Sequence, residues 1–163
     1  MTEVKTRPIV KFAVVDTVLV AMACLVPAAS HLFAVPLYAA NPMLALLLAG
    51  LLLTKDWRNA LVLAVLMPLA SGLLTGMPAM PKMVCMMAEL ATVATLFGWL
   101  QRRWSALPAV LVSVLAAKAV YYGLKAVIIA PAVLVGTAWW MQLAAVVLWG
   151  GLFAMVYKRS EKK

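Results

Sequence analysis

Lys118, Tyr121, Tyr122 and Lys125 stand at spacing i, i+3, i+4 and i+7 in a mostly apolar stretch. That spacing puts all four on one face of a helix. Two ammonium groups on one face of a helix at membrane depth are costly unless they are paired or face water. The one carboxylate within a neighbouring apolar stretch at similar depth is Glu89. A Glu89–lysine pair is geometrically possible, and it has two readings. It is either an ion pair that pins two helices together or one part of a cationic pocket wall. One carboxylate does not neutralise two lysines, so the second reading favours an anionic ligand. Trp139, Trp140 and Gln142 lie near the start of the last apolar stretch. The tryptophans suit interfacial anchoring or stacking on a flat ring, and Gln142 adds a hydrogen-bonding group.

Met77, Met80, Met83, Met86 and Met87 gather just before and around the start of the Glu89 segment. Thioethers bind Cu(I), and they also serve as adaptable packing around a loop; both readings stay open. There is no G-x-x-x-x-G-K-[ST] phosphate loop, so ATP hydrolysis by that route is excluded for this chain. No nucleophile–base–orienter set is visible either, and the chain reads as a non-enzyme without a cofactor.

The elements that position these residues follow from composition. Of 163 residues, 67% are hydrophobic and 12% charged, against about 45–50% and about 25% in soluble domains. This predicts an all-α polytopic membrane protein forming one domain. The net charge of +9 lies mostly at segment ends, as orientation signals do, which argues against nucleic acid as a partner. Cys24 and Cys85 fall in separate apolar segments and suggest neither a disulfide nor a metal pair. Ala28-Ala29-Ser30 leaves a cleaved leader as a minor alternative reading of the first segment.

Six helices are expected, at about 12–29, 42–53, 60–74, 81–100, 106–130 and 137–157, forming a six-transmembrane-helix bundle. Ala13, Thr17 and Ala21 make a small-residue stripe on the first, fit for close helix contact either inside the bundle or with a partner. Asp16 sits near its start. From Ser30 the chain is broken by Pro36 and carries His31, Tyr38 and Asn41. Asn41-Pro42 reads as an N-cap followed by a first-turn proline. The helix beginning there spans only about 18 Å, short of the roughly 30 Å hydrocarbon core. Non-helical chain before Asn41 is therefore expected to line a cavity.

Thr54–Asn59 is expected as a short charged loop and Thr75–Lys82 as a Gly/Pro turn, with Pro68 kinking the third segment. Six segments put both termini on one side. That side carries Lys5, Arg7, Lys11, Lys55, Arg58, Arg102, Arg103, Lys158, Arg159, Lys162 and Lys163; the other carries only Lys82. The positive side is expected to be cytoplasmic, in a prokaryotic cytoplasmic membrane.

Leu74-Thr75-Gly76-Met77-Pro78 with Glu89-Leu90, Pro42-Met43 with the Leu46–Leu53 run, and Pro68-Leu69-Ala70-Ser71 together resemble the substrate-binding (S) components of energy-coupling-factor vitamin transporters. The resemblance covers roughly Asn41 to Arg103. It implies a membrane-embedded subunit that captures a small vitamin-like solute near the outer face, beneath the loops after segments one and three. It also implies transport with a scaffold membrane subunit and two cytosolic ATPases, docked through a small-residue motif on the first helix. Metal-transporting members carry a histidine after the first methionine, where this chain has Thr2, which weighs against a metal substrate. Tyr38, Asn41, Glu89, Lys118, Tyr122, Lys125, Trp139 and Gln142 are the candidate substrate-binding residues; Ala13, Thr17 and Ala21 are the candidate docking residues. Two other classes remain open. One is a small scaffold protein like that of the rod-shape complex. The other is a membrane enzyme acting on a lipid or prenyl phosphate, which would have only Asp16 and Glu89 to hold a metal.

Overall fold

The computed structural model describes residues 3–32, 41–128 and 139–161, with side chains from Val10 onward except those of 31, 139, 140, 160 and 161. Tyr38, and with it the expected non-helical chain up to residue 40, lies outside the described residues. Among the described residues six α-helices follow in order: α1 (Glu3–Leu32), α2 (Pro42–Thr54), α3 (Trp57–Thr75), α4 (Met80–Leu100), α5 (Ala106–Ile128) and α6 (Trp139–Glu161). There is no strand among the described residues. Five helices contain stretches long and apolar enough to cross a membrane, and α2 is the short one at 13 residues. The chain is a membrane-embedded helical bundle.

The expected boundaries need correction at the polar ends. α1 runs from Glu3 through Leu32, so the chain does not leave the helix at Ser30. The expected loop over Thr54–Asn59 shrinks to Lys55 and Asp56. Lys55 adopts the left-handed conformation and its N–H closes α2 on the Leu51 carbonyl at 2.9 Å. Asp56 then caps α3, accepting from the Arg58 N–H at 2.8 Å, an acidic N-cap answering otherwise unpaired amides. The Thr75–Lys82 turn likewise shrinks to residues 76–79. Gly76, at φ 70, ends α3 with its N–H on the Gly72 carbonyl, a conformation that costs glycine least. Pro68 is buried inside α3.

The core runs the length of the bundle. Leu44, Leu47 and Leu48 of α2, Leu63 and Met67 of α3, Leu90, Val93 and Phe97 of α4, and Val110 and Val114 of α5 are all buried. With no hydrophobic drive between helices in lipid, close fit carries the association. At Gly98 the fit is close: a Cβ there would lie 2.6 Å from Cγ of Trp57. Nearby, Phe97 meets Phe153 and Tyr157 edge-on, at 5.1 and 5.8 Å between centroids, tying α4 to α6. α1 buries Leu19, Ala23 and Pro27 toward the bundle, and Asn59 of α3 donates to its Asp16 at 2.8 Å. The opposite side of α1 is open: Ala13, Thr17 and Ala21 are all exposed, in line with Val14, Val18 and Leu25. The small-residue stripe therefore does not pack inside the bundle.

Candidate functional site

The polar groups at one end of the bundle are brought together by the starts of α2, α4 and α6 and by the interiors of α4 and α5. Asn41 takes the left-handed conformation (φ 49) at the head of α2, and its Oδ1 accepts from the Leu44 N–H at 3.4 Å. Short polar residues tolerate that conformation because they bond locally. The cap leaves Nδ2 of Asn41 pointing at α4, where it donates to Oε1 of Glu89 at 3.2 Å. The same carboxylate oxygen takes the Lys118 ammonium of α5 at 2.6 Å. Relative side-chain exposure is 13% for Lys118 and 6% for Glu89, so the pair is mostly withdrawn from its surroundings. The Lys118 ammonium also lies 5.4 Å from the centroid of the Tyr121 ring, within cation–π range.

These groups line a cavity of about 330 Å³, within the size range of small-molecule sites. Its roof is the α3–α4 turn, residues 76–79. That turn is braced from below: the Ser71 hydroxyl donates to the Met77 carbonyl at 2.8 Å, and the Thr75 hydroxyl donates to the same carbonyl at 3.1 Å. Met43 and Met86 supply apolar wall, and Lys82 and Gln142 supply polar wall. Oε1 of Gln142 is buried with no hydrogen-bond partner among the described residues, an unmet acceptor of the kind a ligand donor satisfies. Among the described lining residues Lys82 and Lys118 are the cations and Glu89 is the carboxylate.

Of the expected site residues, Asn41, Glu89, Lys118 and Gln142 line this cavity together. Tyr122 and Lys125 are not among its described lining residues. The helical face predicted for α5 is real but divides: Lys118 and Tyr121 turn to the cavity. Tyr122 packs edge-on against Tyr121 at 5.4 Å, and Lys125 is half-buried farther along the helix. The 100° step between residues makes an i to i+7 stripe broad, and the cavity is narrower than the stripe. Trp139 opens α6, and its side chain lies outside the described residues.

Tyr121, Lys82 and Met86 also line the cavity and lie outside the expected pocket set. Lys82, Met86 and Glu89 are spaced i, i+4 and i+7 on α4, and that periodicity was the available signal. Among the described residues no group of three His, Cys, Asp or Glu side chains is placed to hold a metal ion. Compared with known proteins, the chain matches no family model, no curated protein and no solved structure.

Proposed function

We propose that the chain is the substrate-capture (S) component of an energy-coupling-factor importer. In this reading it binds a small, vitamin-like, anionic solute at the outer face and passes it inward with a scaffold membrane subunit and two cytosolic ATPases. The observation that carries the reading is the roofed cavity whose wall holds Asn41, Glu89 and Lys118 in one hydrogen-bonded chain. A scaffold of the rod-complex type has no use for a cavity walled by ionised groups at depth, where their burial is costly. A lipid-phosphate enzyme of the metal-dependent kind needs clustered carboxylates. Here Asp16 is engaged with Asn59, and Glu89 with Asn41 and Lys118.

The ligand's anion meets Lys118, with Lys82 adding positive potential from the mouth. The Gln142 carbonyl takes a donor from the ligand, and Met43 and Met86 contact its apolar part. The Lys/Arg asymmetry supports a topology with both termini in the cytoplasm, which puts the cavity mouth outside. The exposed Ala13, Thr17 and Ala21 face offers the surface for the scaffold subunit.

Uptake assays test the whole reading. Proteoliposomes holding the chain with an ATPase–scaffold module should import a labelled anionic vitamin only when ATP is supplied on the cytoplasmic side. Import by the chain alone at the same rate, or binding without import in the complete complex, would contradict it.

A further inference from the structure

A second cavity, of about 580 Å³, opens at the opposite end of the bundle. One wall is a single face of α6: Gly151, Ala154, Met155 and Lys158, spaced i, i+3, i+4 and i+7. This face grades from small and apolar to cationic as α6 ends. Facing it are Trp104 and Ser105 of the α4–α5 turn and the first residues of α5, Ala106 and Leu107. The back is closed by Gln101 and Tyr157, whose hydroxyl donates to Oε1 of Gln101 at 3.1 Å.

The charge on the described lining of this cavity has one sign. Lys158 lines it, and no carboxylate does among the described residues. The first turn of α5 contains no acidic residue, so the positive end of that helix is uncompensated there. Arg102 and Arg103, both exposed, adjoin the wall. Lys158 makes no ion pair among the described residues.

The position of the cavity is equally specific. The apolar spans Met80–Leu100, Ala106–Ile128 and Met141–Arg159 all begin or end at its level, which is where headgroups meet hydrocarbon. It opens sideways past Leu107, 48% exposed, and Met155, 74% exposed. A soluble anion would satisfy the cationic end and leave this apolar opening unmatched. A molecule with a phosphate at one end and a chain at the other matches both.

We propose that this cavity is a binding site for an anionic membrane phospholipid, with its headgroup phosphate at Lys158 and the α5 N-terminus and its first acyl carbons along Gly151, Ala154 and Met155. Basic pockets between transmembrane helices recognise anionic headgroups in this manner. The site is independent of the Glu89 cavity and of the function proposed for it.

Native mass spectrometry of the full chain in detergent, titrated with equimolar phosphatidylglycerol and phosphatidylcholine, tests the assignment. The parent should hold phosphatidylglycerol about fivefold more than phosphatidylcholine, the selectivity expected of one lysine. Lys158→Gln should bring that ratio to about one. A Cβ at Gly151 meets nothing within 4 Å, so Gly151→Leu should fold like the parent, fill the cavity and lose the bound lipid. Glycerol 1-phosphate in excess should leave the lipid adduct in place. An unchanged ratio in Lys158→Gln, or a full lipid adduct in folded Gly151→Leu, would overturn the proposal. Displacement by glycerol 1-phosphate would also overturn it, and would assign the cavity to soluble phosphates instead.

Discussion

Glu89 of α4 and Lys118 of α5 are joined at 2.6 Å across a helix interface, and the bonded oxygen of Glu89 also accepts from Asn41 of α2. One carboxylate thus links three helices at the wall of the cavity. Removing one partner of such a buried pair leaves an uncompensated charge and costs about 3–5 kcal/mol. Glu89→Gln should therefore lower the thermal stability of the ligand-free protein in detergent. The double variant Glu89→Gln, Lys118→Met should recover much of the loss, because no charge is then left unpaired. Additive losses in the double variant would show that the two groups do not act as a pair.

The two α5 lysines should separate in binding. Truncating one partner of a hydrogen-bonded charge pair costs about 2–5 kcal/mol, so Lys118→Met should weaken an anionic ligand by roughly 30- to 4,000-fold at about 1.4 kcal/mol per tenfold. Lys125 is not among the described lining residues, and Lys125→Met should bind within about threefold of the parent, under about 0.7 kcal/mol. Isothermal titration with both variants is the check. Equal losses in the two would place the ligand along the whole α5 stripe rather than in the cavity.

The outward face of α1 gives a prediction with opposite signs for stability and transport. Because Ala13, Thr17 and Ala21 are exposed, Ala13→Leu or Ala21→Leu should leave the melting temperature and ligand binding unchanged. Close approach of a second helix needs small residues, so the same variants should fail to co-purify with the scaffold–ATPase module. Undiminished co-purification would remove α1 from the docking surface.

Packing between α3 and α4 is testable at one atom. Gly98→Ala puts a methyl group 2.6 Å from Cγ of Trp57, and overpacking of this kind costs about 1–3 kcal/mol. Gly123→Ala, where a Cβ meets nothing within 4 Å, should lie within about 0.5 kcal/mol of the parent. Thermal unfolding of the two variants side by side decides it. A Gly98→Ala protein as stable as the parent would mean that Trp57 is free to shift.

Much of this was legible in the sequence. The apolar runs and their breaks predict the six helices, and Asn41-Pro42 predicts the start of α2 as an N-cap. The depth of Glu89 and the register of Lys118 predict that a carboxylate and an ammonium can meet. What the sequence left open was which lysine meets Glu89. Depth along a helix is read from residue number, but the turn that faces a neighbour depends on how α4 and α5 are rotated against each other. The cap of Asn41 was predictable, whereas its second bond, to Glu89, depends on α2 lying beside α4. Loop lengths were overestimated at 54–59 and 75–82 for a local reason. Charged and polar residues there are capping and first-turn residues, and composition alone does not separate them from loop.

On the proposed reading the Glu89 cavity holds a small anion. Native mass spectrometry of the protein released directly from its own membranes tests it most directly, by comparing the parent with Lys118→Met. The expected result is an anionic small molecule retained by the parent and lost from a folded Lys118→Met protein. A neutral or cationic molecule retained equally by both would contradict anion binding, and would leave Glu89 and Lys118 as a structural pair.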